Sequence, residues 1–379
     1  MGIKPPTRTG KHKIMEESTQ EPTSDQEAKR TEGKKPADKA PKKPEAPAEP
    51  MVLSSSPHIT SGETIEYLMT QVILALIPGL LVGIYFFGLD ALRVLTITTA
   101  SAVGFEALYQ RLMKKKITVY NRSAAVTGIL LAMNLPSGAS WWLCMIGSAF
   151  AIVICKQLYG GLGYNPFNPA LAARVFLLIS WPVQMTRWPA PHPFFVHAVD
   201  AVTAATPLGK MKDSLLMHGD LSGIADLSWI DPFLGYVGGS LGEISALALI
   251  LGGLYLIARR VITWHIPASF LGTVAVTSTL FHQVAPTRYA SPLFHLFTGG
   301  LILGAFFMAT DLVTSPVTHR GMVIFGVGCG LITMVIRYWG GYPEGVSFAI
   351  LLMNATTPLI DRWVKPRTFG THRGKKAKK

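Results

Sequence analysis

From residue 65 onward the chain is a succession of apolar runs separated by short polar or glycine-rich joints. By hydropathy the runs fall near residues 65–88, 91–112, 122–136, 140–159, 168–182, 236–258, 264–283, 292–310, 321–338 and 344–361. A helix needs about 20 apolar residues to cross hydrocarbon, and several of these runs are shorter and carry Gly or Pro. The pattern predicts an all-α polytopic membrane protein of about ten transmembrane helices, some of them short and broken. Short broken spans at matching places in two halves point to discontinuous helices around a site in the membrane interior.

The order of features repeats along the chain. The third run reads Ser123-Ala-Ala-Val-Thr-Gly-Ile-Leu-Leu-Ala-Met-Asn-Leu-Pro136. The eighth reads Thr298-Gly-Gly-Leu-Ile-Leu-Gly-Ala-Phe-Phe-Met-Ala-Thr-Asp311, followed by Ser315-Pro316. Each is rich in small residues, then has Met, a polar residue and Pro. Gly160-Gly161 precedes the fifth run and Gly340-Gly341 the tenth. The offset is about 180 residues, or five spans, and an odd number of spans inverts the second half on the first. The expected fold is therefore two inverted five-helix repeats.

Charge gives these spans a direction. Lys114, Lys115 and Lys116 follow the second run, Lys156 closes the fourth, and Arg259 and Arg260 follow the sixth. Arg320 follows the eighth, and Arg362 and Lys365 the tenth. Every even-numbered exit is basic, which places those loops and both termini in the cytoplasm. The organisation expected is a disordered cytoplasmic extension (1–56), a first membrane repeat (57–182), an extracytoplasmic loop (183–235), a second membrane repeat (236–361) and a basic cytoplasmic tail (362–379).

Composition agrees. The 379 residues are 49% hydrophobic and 15% charged, far below the quarter that is usual for soluble domains. Residues 1–50 hold 11 Lys/Arg, 9 Asp/Glu and eight prolines, too polar a mixture to build a core. The net charge of +13 does not indicate nucleic-acid binding, because the basic groups adjoin apolar spans, where they read as anchors to anionic lipid. Cys144, Cys155 and Cys329 lie in apolar runs without a C-x-x-C pair, so buried thiols are expected rather than a cluster or zinc site. The first apolar run is too long for a signal-peptide core, and no such peptide is expected.

Chemistry is concentrated in a few places. The outer loop holds Asp200-Ala-Val-Thr-Ala-Ala-Thr-Pro-Leu208: an acid and two hydroxyls among small residues that let a bulky group reach the backbone. From the residues alone this also reads as a helix cap. Asn165-Pro-Phe-Asn168 opens the fifth run, where two carboxamides and free helix-start amides can bind a polar ring or cap a broken helix. Arg174 lies within that run and needs a partner or a phosphate. Glu106, Asp311, Glu344 and Asp361 lie in or beside spans, where ionisable groups are functional suspects. Asp311, Glu344 and Asp361 are the candidates for an ion pathway, against solvated helix ends as the plainer reading. His192, His197, His282 and His295 are scattered and make no convergent metal set.

The Asp200–Leu208 segment resembles the flavinylation motif of the RnfD/NqrB family of membrane redox subunits. The likeness extends over about residues 53–365. It includes Ser54-Ser-Ser-Pro-His58, Gly160-Gly-Leu-Gly-Tyr-Asn-Pro-Phe-Asn-Pro-Ala170, Phe176-Leu-Leu-Ile-Ser180 with Pro182, Met308-Ala-Thr-Asp-Leu-Val-Thr-Ser315, Tyr342-Pro-Glu-Gly345 and Pro358-Leu-Ile-Asp361. Ala204 stands where many members have Gly. The compact body and Pro207-Leu208 after the threonine favour the Rnf branch.

The resemblance implies FMN attached through its phosphate to Thr206, with Asp200, Thr203 and Pro207 shaping the acceptor. It implies a second, non-covalent flavin, riboflavin, with Gly128, Asn165 and Asn168 as candidates to hold it. It further implies a subunit, inactive alone, of a translocase in the cell inner membrane that passes electrons between ferredoxin and NAD and exports Na+ or H+. The implied partners are RnfA, RnfB, RnfC, RnfE and RnfG, a flavin transferase and membrane lipid. Three other readings fit the residues: an NqrB-like subunit of a Na+-translocating NADH:quinone reductase, a flavin-free inverted-repeat channel or transporter, and a structural scaffold subunit.

Overall fold

A computed structural model describes residues 63–191, 205–224, 227 and 229–365 of the chain. The extension at 1–56, Asp200 and Thr203 of the motif, His192 and His197, and the tail from residue 366 lie outside the described residues. The regular elements among those described are helices, with no strand.

The first element, α1, spans Ile65–Leu112 as two helical arms that meet at Gly88, where the backbone is not helical. A straight helix of its 48 residues would be about 72 Å long at 1.5 Å per residue. Its two ends nevertheless meet one short segment. Arg122 donates to Thr70 Oγ1 near the start, while Gln110 near the end donates to Thr118 Oγ1 (2.7 Å) and accepts from its backbone N–H (2.8 Å). The chain therefore doubles back at Gly88, whose φ of 59° and ψ of −136° are open to glycine and costly to any residue with a Cβ. The hairpin arms coincide with the first two apolar runs.

The remaining elements follow the runs closely, with two exceptions. They are α2 (Ser123–Met133), α3 (Trp141–Gln157, its second half wound as a π-helix), α4 (Pro169–Ser180), α5 (Pro182–Met185), α6 (Pro207–Met217) and α7 (Ile230–Leu234). Then come α8 (Ala246–Ala258), α9 (His265–Val284), α10 (Pro292–Phe297), α11 (Leu301–Leu303, continuing as a π-helix through Met308), α12 (His319–Trp339) and α13 (Val346–Trp363). By length and composition α1 and α12 can each cross a membrane, whereas α2, α3, α4 and α8 are shorter apolar helices.

The first exception is the run at 236–258, which is helical only from Ala246. Residues 236–245 unwind because their N–H groups pair elsewhere. Gly242 N–H donates to the Met133 carbonyl (2.7 Å) and Leu241 N–H to that of Leu135 (3.4 Å), at the end of α2. A Cβ on Gly242 would lie 2.9 Å from the Met133 oxygen, so only glycine permits this approach. The second exception is the run at 292–310, interrupted at Gly299, where φ is 70°.

Contacts at the helix ends sort the joints onto two faces. One face gathers Thr70 with Arg122, Tyr67 with Arg259 (2.7 Å), Val317 with Asp361 (3.2 Å), and His265 ring-to-ring with His319 (4.5 Å). It carries the exposed Lys114, Lys115, Lys116, Arg122, Arg259, Arg260, Arg320, Arg362 and Lys365. The other face gathers Gly88, Tyr236 against Phe86, Ala139 bonded by Arg93, Thr206 and the 340–345 joint.

Within each half the second and fourth helices run parallel. Along α3, Ser148 donates to the Thr98 carbonyl (2.9 Å) and Gln157 to Glu106 (2.7 Å) of the second α1 arm. Along α12, Gly326 abuts Ser269 and Gly330 abuts Thr273 of α9. The α1 arm ends at the basic face and α9 begins there, so the two pairs point in opposite directions.

The turn at Gly88 gives a direct check. Gly88→Ala is expected to destabilise the protein by about 1–3 kcal/mol, the usual cost of a side chain in that backbone region. Thermal unfolding in detergent reads this as a lower Tm; an unchanged Tm would show that the hairpin does not depend on this position.

Candidate functional site

Thr206 caps α6. Its backbone is extended (φ −63°, ψ 154°), its Oγ1 accepts the Gly209 N–H at 3.1 Å, and Pro207 occupies the first helical position. Proline suits that position because its fixed φ is already helical and it has no N–H to waste. A threonine there presents its oxygen to the free amides and positive dipole end of an 11-residue helix. Gly209 leaves the oxygen room, since a Cβ would lie 3.1 Å from it. On the next turn Lys212 Nζ donates to the carbonyls of Gly340 and Tyr342, tying α6 to the joint before α13. Loss of water around that ammonium lowers its pKa.

Thr206 is 7% exposed and lines a cleft with Trp188, Tyr342 and Phe348. Tyr342 and Phe348 stack at 5.1 Å and 25°. Arg174 of α4 also lines the cleft. Its Nη1 donates to Asn134 Oδ1 and Ser347 Oγ, both at 3.0 Å, and its Nη2 to Glu243 Oε1 at 3.3 Å and to Glu344. A planar cleft wall, a cation at its floor and a helix start at its rim together suit a phosphorylated aromatic ring system.

A second pocket opens toward the basic face and is lined by Asn165, Asn168, Thr127, Lys156 and Asp311 among apolar side chains. Asn168 Oδ1 caps α4 by accepting from Ala170 (3.1 Å) and Leu171 (3.3 Å), while its Nδ2 donates to the Met308 carbonyl at 3.3 Å. Among the described residues Asn165 makes only a local bond, to the Phe167 carbonyl (3.1 Å). Gly128 does not face this pocket. It packs on the second α1 arm, where a Cβ would lie 2.7 Å from Thr99 Cα. Among the described residues no His/Cys/Asp/Glu group could hold a metal ion.

Lys156 differs from its expected place. It is not a solvated loop cation but a 2% exposed member of α3, 3.0 Å from the 1% exposed Glu106 and donating to Ser123 Oγ at 2.7 Å. Glu106 thereby has a partner inside the bundle, and its Oε2 is buried without one among the described residues. The three ion-pathway candidates are not brought together. Asp311 accepts from Thr314 (3.2 Å) and Asp361 from the Val317 N–H, both at the basic face, whereas Glu344 sits at the opposite face on Arg174. The need of Arg174 for a partner is legible in the sequence, whereas Glu243 and Arg337 are functional neighbours not foreseen there. Both are lone ionisable residues inside apolar runs, the same signal that marks Glu106. Cys144, Cys155 and Cys329 are buried free thiols.

The NQR2, RnfD, RnfE family profile matches residues 52–370. The D subunit of the Na(+)-translocating ferredoxin:NAD(+) oxidoreductase complex of Acetobacterium woodii is 50% identical over 331 residues, covering 87% of this chain and 98% of its own. The D subunit of the proton-translocating ferredoxin:NAD(+) oxidoreductase complex of Clostridium ljungdahlii is 45% identical, covering 85% of this chain and 96% of its own. The D subunit of the ion-translocating oxidoreductase complex of Escherichia coli is 40% identical, covering 85% and 99%.

The buried Lys156–Glu106 pair yields a stability prediction. Lys156→Met leaves a carboxylate without its cation and is expected to cost about 3–5 kcal/mol, most of which returns when Glu106→Gln is added. A double-mutant cycle on thermal stability in detergent tests this. Strictly additive losses would rule out an energetic pairing.

Proposed function

Since this chain belongs to the NQR2, RnfD, RnfE family, we propose that it is the membrane subunit of an Rnf-type complex, an ion-translocating ferredoxin:NAD oxidoreductase, and that it carries covalent FMN on Thr206. The observation that carries the flavin reading is the placement of Thr206 as the cap of α6 at the rim of a cleft floored by Arg174 and walled by Tyr342 and Phe348. N–H groups at a helix start donate to phosphate oxygens, and the aromatic walls match a flat ring. Bound FMN supplies reversible transfer of one or two electrons. The chain itself would fix the phosphate at α6, exclude water from one side of the ring and hold a positive charge nearby. Relatives named for Na+ and for protons stand at similar identity, and the proposal here is for translocation of a monovalent cation.

The membrane arrangement proposed is ten spans in two inverted repeats. It is supported by the α1 hairpin, by the opposed directions of the two parallel helix pairs and by the interrupted helices in each half. We take the basic face as cytoplasmic, which puts Thr206 outside the inner membrane, with both termini inside. The pocket holding Asn165 and Asn168 is then open to the cytoplasmic side and is the proposed place for riboflavin. Partner subunits and a flavin transferase complete the assembly.

Co-expression with the transferase is expected to give a band that fluoresces under ultraviolet light in a denaturing gel, and a peptide containing Thr206 that gains the mass of FMN less water. Thr206→Ala should abolish both while leaving the protein in the membrane. A dark wild-type band would refute the flavin reading. A cysteine introduced at Lys210, next to the acceptor, should react with an impermeant thiol reagent in whole spheroplasts. Labelling only after lysis would reverse the proposed orientation.

A further inference from the structure

Arg174 is held in a way that ordinary packing does not require. Its guanidinium contacts two carboxylates, and they are not equivalent. The Glu243 side chain is 4% exposed and does not line the cleft, whereas that of Glu344 is 14% exposed and does. Nearby, Arg337 is 1% exposed and donates to the carbonyls of His295 (2.6 Å), Thr298 (3.0 Å) and Glu344 (3.3 Å). Two cations and two carboxylates thus occupy one buried cluster. Gly299 and Gly300 fit between them. A Cβ on Gly300 would lie 3.6 Å from Arg174 Nη1, and one on Gly299 would lie 3.3 Å from Arg337 Nη2 and 2.7 Å from Leu208 Cδ1. Leu208 is two residues beyond Thr206, so the cluster lies directly beneath the helix that Thr206 caps.

We propose that Arg174 is the positioning residue that sets the reduction potential of the group on Thr206, with Glu344 as its releasable counter-charge. This rests on the FMN reading of that threonine. Reduction delivers two electrons and one proton to the ring. The proton goes to the central nitrogen, and one negative charge remains on the pyrimidine side. A guanidinium on the same cleft stabilises that charge, and in a dry site the effect is large. Glu344, the more exposed carboxylate and the one facing the cleft, competes with the ring for Arg174. Glu243, fully enclosed, keeps the cation in place when Glu344 lets go. Ser347 and Asn134 fix the guanidinium plane by binding its other nitrogen.

The test is a potentiometric titration of the intact complex with dithionite as electron donor, taking the covalent flavin as the spectral difference from Thr206→Ala. Arg174→Gln is expected to shift the ratio of reduced to oxidised flavin at least tenfold toward the oxidised form, a fall of about 30 mV for a two-electron couple. Arg174→Lys should recover most of this. Glu344→Gln, which keeps the cation and removes its competitor, should shift the ratio the other way. A potential unchanged in Glu344→Gln, with the Thr206 adduct intact by mass spectrometry, would overturn the proposal even where Arg174→Gln fails to accumulate. Absence of the adduct in the wild type would instead refute the FMN reading beneath it.

Discussion

A helix that ends inside a bilayer leaves carbonyls and amides with no water to satisfy them. Much of this structure answers that constraint. The last turn of α2 is closed by Asn134, whose side chain donates to the Leu130 carbonyl at 2.7 Å. The Met133 and Leu135 carbonyls accept the N–H groups of the unwound 236–245 segment. The start of α4 is capped by Asn168. The end of α11 is met by the other side of that same carboxamide. These broken ends are thus satisfied inside the bundle, by one another or by their own side-chain caps.

Charge burial follows from the same geometry. Unwound backbone and small residues make room in the interior for side chains that hydrocarbon would reject. Arg174 reaches Asn134, which closes α2, and Glu243, which lies in the segment paired to α2. Arg337 is solvated by three carbonyls near the break at Gly299. The price of burying these groups is high unless each is paired and hydrogen-bonded. Removing a cap therefore disturbs a charge, and removing a charge disturbs a cap.

Much of the fold was legible in the sequence because hydropathy, helix length and loop charge are local quantities. The runs at 65–88 and 91–112, the basic joints and the short third run all correspond to structure. What was not legible depends on pairing across the chain. The glycines and serines of 236–245 are a local trace of its unwinding, but the partner that explains it, the end of α2 approached by Gly242, is distant in sequence. Lys156 reads as the end of a span because a lysine after an apolar run usually is one. Its burial depends on Glu106, 50 residues earlier. For the site, Thr206 and its proline were visible as a motif. The cleft beside them is built by residues near 174, 188 and 342–348, distant in sequence, and no spacing rule joins them.

The two pockets lie toward opposite faces, yet they share α4. Asn168 caps its first turn and lines the pocket toward the basic face; Arg174, six residues on, lines the cleft of Thr206. Six residues advance a helix by about 9 Å. A second link runs beside it, from Arg174 to Asn134, from Asn134 Nδ2 to Met308 Sδ at 3.7 Å, and from the Met308 carbonyl to Asn168. A displacement of Arg174 along the axis of α4 would have to be absorbed by the Asn168 cap or by the Met308 contact, because close-packed interiors do not deform continuously. A change of charge at the Thr206 cleft therefore has a short mechanical route to the other pocket. That route does not require Asp311, Glu344 and Asp361 to be near one another. It requires only that α4 keep its cap and its arginine.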